Sequence, residues 1–527
     1  MSPSEADIAR AWALRADAQA ALDRGEPLEA ESAIRAALQL LPEEPWFHSD
    51  LGRALSALGQ PDAAEAACRR AIDGKPDEGW FYEALGRVLT RDGRHADAIE
   101  AFSAAIARDP REAWFHYRVG RARWRAGLVD EARRDLETCV RLNGSEDTFV
   151  SALADILQET NHAQEAVALF ERALALDGDD AWRQCRLAEA LVRVDRITEA
   201  ESRLRTAETL DPHEPWFPYM LAELYLKNGR LGEAIAASRR ARAIDRTADW
   251  VCVQLGEVFT RMGAVDEART WYQKACRLRA RALGHLEAPA NPVAAEGPHF
   301  IIAGFPKCGT TSLYEYLVSQ NGVFPAAYKE PGFFSRHYAR GIDWYRSLFV
   351  ATGGITGEAS TNYATHPAAP SRVRRHFPEA RLVFLVRDPV LRAFSDYRMW
   401  VRTGVETRSF ARAVDDELSQ GGSPADDGST PAYVSTGLYA MHLRRWAAHI
   451  PKERMLILRT QDLARDPRQM TARTLDFLGL PGAELVGDFP RHNEGHSQVL
   501  DDVTARRLGA FYAEHNEALR REFGVDI

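Results

Sequence analysis

HFIIAGFPKCGTTSLYEYL, from His299 to Leu317, is the stretch on which the second half of the chain turns. Phe300 to Phe305 is short, apolar and partly β-branched, the composition of a strand buried on both faces. Pro306 to Gly309 turns the chain, and Thr310 and Thr311 open a helix whose apolar positions Leu313, Tyr316 and Leu317 recur at helical spacing. The first turn of a helix offers unpaired backbone N–H groups and the positive end of the helix dipole, so this arrangement is an anion site. Lys307 adds a full positive charge, and the two threonines add hydroxyl donors. The residue order differs from G-x-x-x-x-G-K-S/T, in which the lysine directly precedes the hydroxyl residue. Here Lys307 precedes Gly309, as P-K-x-G-T-T, which predicts a phosphate loop of another kind.

Downstream, strands alternate with helices. RLVFLV (381–386) reads as a second buried strand and MLILR (455–459) as a third, while ITGEASTNYATHP (355–367) reads as a strand end followed by a polar loop. Helices are expected over 369–376, from about 390, over 411–418, 437–450 and 468–478, and over 503–523. GIDWYRSLF (341–349) reads as a short amphipathic segment. The alternation predicts an α/β domain with a parallel sheet and ligands at the carboxyl ends of its strands. Lys307 and Arg387 both follow directly after strands, so both belong on that edge.

Upstream, the chain repeats. Trp12, Trp46, Trp80, Trp114, Trp182, Trp216 and Trp250 fall on a 34-residue grid, with Thr148 at the remaining point. A second grid holds Gly25, Gly59, Gly93, Gly127, Asn161, Asp195, Gly229 and Gly263, residue types that tolerate the left-handed backbone ending a helix. A third holds Ala30, Ala64, Ala98, Ala132, Ala166, Ala200, Ala234 and Ala268, and a fourth holds only Gly or Ala from Gly52 to Gly256. Small residues there let two helices approach closely. This helix–turn–helix period over about 9–280, in eight registers, resembles the tetratricopeptide repeat, which implies an all-α superhelix with a long concave face. The first register has Ala18 in the Gly slot, as a terminal repeat can. The tryptophans have two readings: packing between repeats, or an aromatic ladder that stacks on sugar rings or peptide side chains. LGHLEAPANPVAAEGPH (283–299) lacks any helical or strand period, so the repeat domain is placed at 1–282, a linker at 283–298 and the α/β domain at 299–527.

The 527 residues are too many for one core. A net charge of −9 argues against a general nucleic-acid binder. The six cysteines are scattered without a C-x-x-C pair, which suits a reducing compartment. MSPSEADIARAW lacks a basic segment followed by an apolar one, and no apolar run approaches about 18 residues, so neither a signal peptide nor a membrane span is expected. A cytoplasmic location is the expectation.

Two motifs carry a second resemblance: P-K-x-G-T-T-S-L after one strand and R-D-P-x-x-R-A-x-S-x-Y after another. Together they resemble the nucleotide-binding motifs of sulfotransferases, which use 3′-phosphoadenosine 5′-phosphosulfate. K-E-P-x-F-F, G-E-x-S-x-N-Y, G-I-D-W-Y and G-L-Y-x-x-H-L-x-x-W are similar to the branch holding the heparan sulfate N- and 3-O-sulfotransferases and bacterial relatives. The resemblance spans nearly all of 299–527 and implies a P-loop-like sulfotransferase domain.

It also implies roles. Lys307, Gly309, Thr310, Thr311 and Ser312 would hold the 5′ phosphosulfate, with Lys307 stabilising charge on the leaving phosphate. Arg387 and Ser395 would hold the 3′ phosphate, for which an Arg fork is suited. Glu330 would be the general base that takes the acceptor's proton, as the glutamate of this segment does in the related polysaccharide enzymes. Its bland alternative is a loop carboxylate paired with Lys329 or Arg336. Glu358 is a second carboxylate, and His337 and His366 are further base candidates, each also readable as an ordinary polar residue. Cys308 either fills a small slot or is a thiol acidified by Lys307 and the helix start. The sequence departs from the 3-O-type pattern E-P-H-F-F-D, reading Glu330-Pro331-Gly332-Phe333-Phe334-Ser335, and has Ala359 where a lysine usually follows the second carboxylate. The segment Arg491 to Ser497 has no flanking cysteines. These departures bear on the acceptor, not the donor.

The expected protein is thus an enzyme in which a repeat array captures an acceptor or a protein partner and a second domain transfers a sulfuryl group to a hydroxyl or amine. The expected acceptor is a carbohydrate, polysaccharide or glycolipid, with a peptide tyrosine as the alternative. No motif calls for a metal, a nucleic acid or a transmembrane segment. The rivals are a small-molecule kinase, against which the lysine position argues, and a non-catalytic scaffold with a degenerate nucleotide-binding domain.

Overall fold

The computed structural model describes residues 4–285, 297–350, 353–419, 431–490 and 500–527. Most of the expected linker and the segment 491–497 lie outside these residues. Two compact units result: Met1–Val194 in one, Asp195–Glu494 with Val499–Ile527 in the other. Among the described residues no helix is long and apolar enough to cross a membrane.

Among the described residues, sixteen helices, from Glu5–Asp23 to Val265–Ala282, precede the first strand. The sequence grids have direct backbone counterparts. Gly25, Gly59, Gly93, Gly127, Asn161, Asp195, Gly229 and Gly263 all have φ between 61° and 78°, so each ends one helix and aims the next. The alanine grid from Ala30 to Ala268 is buried throughout. Gly86 shows why its grid is small: a Cβ there would sit 2.5 Å from the Phe102 ring. Trp12, Trp46, Trp80 and Trp114 stand edge-on to Phe47, Phe81, Phe115 and Phe149 of the following repeat, with centroids 5.2, 4.8, 4.9 and 4.8 Å apart. Those phenylalanines are buried, so the tryptophans do pack between repeats. Yet Trp12, Trp80 and Trp182 remain 38, 39 and 48 % exposed.

Among its described residues the second unit contains a five-stranded sheet in the order β2-β3-β1-β4-β5, every pair parallel. The strands are β1 Phe300–Ile302, β2 Val323–Pro325, β3 Ile355–Glu358, β4 Arg381–Val386 and β5 Met455–Arg459. The sequence reading omitted β2, whose three residues are too few to show a period of two. The expected strand over 300–305 stops at Ile302, although Ala303 to Phe305 stay buried. Helices form where expected, as Ala369–His376, Pro389–Arg402, Phe410–Ser419, Tyr439–Ala447, Pro467–Leu478 and Asp502–Phe523.

The last repeat shares this domain's core. Ala268, Tyr272 and Cys276 of its second helix lie in one buried cluster with β1, β4 and the helix Thr310–Val318. Cys276 Sγ contacts the Leu348 carbonyl at 3.4 Å, and Arg279 pairs with Glu315 at 2.9 Å.

Candidate active site

The carboxyl end of every strand contributes to one edge of the sheet, where a parallel sheet presents its ligand crevice. After β1, the loop Gly304–Gly309 leads into the helix Thr310–Val318. Gly309 caps that helix with φ 86°, and Lys307 has φ 67°. A left-handed lysine costs on the order of 1–2 kcal/mol, so the surrounding bonds must hold it there. They do: Thr460 Oγ1, just after β5, donates to the Cys308 carbonyl at 2.7 Å and to the Val386 carbonyl at 3.1 Å. Arg387, just after β4, donates to the Lys307 carbonyl at 3.4 Å. Gly304 leaves room for the Thr310 methyl group, which any side chain there would overlap. Thr310 and Ser312 are buried and Thr311 is half-buried.

The Lys307 ammonium has its pKa lowered, first by burial, with Arg402, Arg387 and Arg398 adding to the effect and Asp396 opposing it. Lys307 thus lies in a positive local field beside a helix start, which an incoming polyanion would relieve. The motif after β4 divides its labour. Asp388 caps the helix Pro389–Arg402, accepting from Val390 N at 2.8 Å and Leu391 N at 2.9 Å. Arg392 is fully buried, bonded to Asp396 at 3.1 Å and to the Tyr433 carbonyl. Arg387, just after β4, and Ser395, in the second turn of the helix Pro389–Arg402, are both half-buried.

Cys308 is fully buried, and burial pushes its thiol up to about 11. This overturns the acidified-thiol alternative: desolvation outweighs the nearby cations, and Cys308 fills a small slot against Tyr439.

The loop after β2 carries Glu330, which is exposed at 43 % and pairs with Lys329 at 2.8 Å. The pairing with Lys329 is thus present, and it leaves the Glu330 carboxylate exposed. Lys329 does more, because its Nζ also donates to Thr311 Oγ1 at 2.6 Å and so bridges Glu330 to the phosphate loop. The residues after β3 pin this loop: Ala359 N donates to the Lys329 carbonyl at 2.7 Å, and Gly332 N donates to Ser360 Oγ at 3.1 Å.

Glu358 is fully buried, and desolvation pushes its carboxyl up to about 8. Tyr345 OH donates to it at 3.0 Å. Glu358 is therefore a neutral carboxyl inside the domain, not a base open to an acceptor. His366 Nδ1 accepts from Ala368 N at 3.2 Å and so shapes the start of the helix Ala369–His376. His337 has its pKa lowered by burial and lies against Trp344, with ring centroids 6.2 Å apart. Sequence reasoning missed Thr460 and the bridging role of Lys329. Thr460 belongs to no motif, and Lys329, although it opens K-E-P-x-F-F, meets Thr311 only through the fold.

Residues 297–503 match the family model of the sulfotransferase domain, and residues 21–82, 83–145, 150–181, 195–247 and 251–292 match models of the tetratricopeptide repeat. Heparan sulfate glucosamine 3-O-sulfotransferase 6 of Mus musculus is 37% identical over 205 residues, 38% of this chain and 58% of that protein. Bifunctional heparan sulfate N-deacetylase/N-sulfotransferase 3 of Homo sapiens is 31% identical over 227 residues, 40% of this chain and 26% of that protein. The chain thus spans just over half the length of the first relative and about a quarter of the second. A solved sulfotransferase from Alicyclobacillus acidocaldarius is 29% identical, covering 45% of this chain and 98% of that one at a TM-score of 0.39. The chain joins a tetratricopeptide-repeat array to a sulfotransferase domain.

Proposed function

We propose that the protein transfers a sulfuryl group from 3′-phosphoadenosine 5′-phosphosulfate to a hydroxyl or amine of a carbohydrate. The observation that carries this reading is the phosphate loop itself: Lys307 and Arg387 meet beside the start of the helix Thr310–Val318, and Lys329 ties that start to a loop bearing an exposed carboxylate. The donor carries phosphate at both ends, so basic groups are needed at each. In this reading Lys307 and the first turn of the helix hold the 5′ end, and Arg387 with Ser395 holds the 3′ phosphate. An acceptor oxygen or nitrogen attacks sulfur while the bond from sulfur to the phosphate oxygen breaks. The acceptor's proton passes to Glu330, and the charge left on the departing phosphate falls on Lys307.

The carbohydrate acceptor is supported by the names of the relatives, which specify heparan sulfate. Gly332 and Ala359, where related patterns carry His and Lys, argue for a different arrangement around the acceptor. The array, residues 1–282, captures the acceptor or a protein partner, and residues 299–527 perform the transfer. Calorimetry with 3′-phosphoadenosine 5′-phosphate tests the donor site. Saturable binding by the wild type that is lost in Lys307→Ala/Arg387→Ala supports it; no binding by folded wild type overturns it. A labelled-donor screen of glycans against tyrosine peptides then decides the acceptor class.

A further inference from the structure

The loop that carries Glu330 runs from Tyr328 to Arg340, between β2 and the short helix Ile342–Ser347. Both of its ends meet one carboxylate that comes from the repeat array. Glu257 lies on the first helix of the last repeat, Asp249–Arg261. Arg340 clasps it with two bonds, NH1 to Oε2 at 2.7 Å and NH2 to Oε1 at 2.9 Å. Tyr328 OH donates to the same Oε2 at 3.5 Å, and Tyr272 OH reaches it at 3.4 Å. The Glu257 side chain is only 14 % exposed, and Arg261 approaches it at 3.5 Å as a second cation. An aromatic shell closes the contact: Tyr328 packs on Tyr272 with centroids 5.7 Å apart, and the Arg340 guanidinium lies 4.7 Å over the Trp344 ring.

We infer that Glu257 is a positioning residue for sulfuryl transfer: the last repeat holds the Glu330 loop in its reacting geometry from both ends. The inference rests on Glu330 being the proton acceptor. The middle of the loop is already fixed by Ala359 and Ser360. Its far end is held from within the domain at Tyr338, by His376 at 2.8 Å and by the Arg372 guanidinium 4.2 Å over the ring, and from the last repeat at Arg340, by Glu257. A bidentate Arg–carboxylate pair at low exposure constrains orientation as well as distance. Displacing a reacting group by about 1 Å can cost about 100-fold in rate, so a contact remote from the chemistry can set turnover. The array is then part of the catalytic apparatus, and the last repeat cannot be exchanged freely for another.

The test uses the full chain and the variants Glu257→Gln, Arg340→Gln and the double variant. Three readings are taken: hydrogen exchange over 326–341, affinity for 3′-phosphoadenosine 5′-phosphate, and kcat for transfer to a desulfated heparin-type polysaccharide. The expected result is faster exchange confined to this loop, nucleotide affinity within about 2-fold of wild type, and kcat lower by about 10- to 100-fold. The double variant should lose no more than either single one. Glu257→Asp should recover part of kcat. Unchanged exchange and kcat in folded Glu257→Gln would overturn the inference. Equal loss of nucleotide affinity and kcat would also overturn it, since that marks general damage. If the wild type binds no nucleotide, the enzymatic reading fails instead. If it binds nucleotide but does not sulfate this polysaccharide, loop exchange alone decides whether Glu257 anchors the loop.

Discussion

Lys329 donates to the Thr311 hydroxyl at 2.6 Å, and through that bond the loop carrying Glu330 is tied to the first turn of the phosphate-loop helix. The same ammonium lies 2.8 Å from the Glu330 carboxylate. One side chain thus sets the spacing between the group proposed to take a proton and the helix proposed to hold the donor. Lys329→Met removes the bridge while keeping the stem. It should lower kcat by about 10-fold or more, because alignment is lost, while nucleotide affinity changes less. Steady-state kinetics beside calorimetry reads both; an unchanged kcat would remove Lys329 from the site.

Lys307 and Arg387 each face the proposed phosphates with a full charge. Truncating one charge-assisted contact costs about 1.5–3 kcal/mol, so Lys307→Ala and Arg387→Ala should each weaken nucleotide binding by about 10- to 100-fold. The pH dependence follows from the lowered pKa of Lys307. The ammonium loses its proton below the ordinary lysine value of 10.5, so affinity should decline at an alkaline pH short of that value. Calorimetry as a function of pH checks this; a flat profile up to 10.5 would contradict it.

Glu358 makes stability depend on pH. Its carboxyl ionises near 4.5 in an unfolded chain but near 8 in the folded one. Between those values the folded state binds the extra proton, so the stability associated with Glu358 is full below about 4.5 and is lost as pH rises through about 8. Glu358→Gln keeps a neutral partner for Tyr345 and should flatten this decline. It should be more stable than wild type by roughly a few kcal/mol at pH 9, and similar near pH 5. Urea denaturation at several pH values measures it, and parallel profiles would show that Glu358 does not stay protonated.

The tryptophans can be separated by exposure. Trp114 stands against the buried Phe149, so Trp114→Ala should lower the melting temperature, the ring pair alone contributing about 0.5–1.5 kcal/mol. Trp182 is 48 % exposed. If the ladder also captures acceptor, Trp182→Ala should raise KM for a glycan with a smaller effect on melting. Loss of melting temperature without any change in KM in both variants would leave packing as the ladder's role.

Much of the fold was legible because it rests on local signals. The left-handed turn at Asn161 and Asp195 follows from which residues tolerate positive φ, and the burial of the alanine grid follows from a fixed period. The strand β2 was not legible, since three residues show no periodicity. Within the site, Lys307, Arg387 and Glu330 carry motifs, whereas the burial of Cys308 and Glu358 depends on what packs around them. A helix start beside Lys307 argues for an acidic thiol; the surrounding core reverses the sign.

The sequence by itself determined the repeat array, the phosphate loop and the alternation of strands and helices, because each is written in spacings of a few to a few dozen residues. Tertiary structure alone decided which side chains meet. Thr460 reaches Cys308 across 152 residues, and Arg340 reaches Glu257 across 83. Such pairings depend on sheet order and on the packing of the last repeat, and no local period encodes them. The same is true of Glu358, whose neutrality comes from desolvation by the assembled core rather than from its neighbours in the chain.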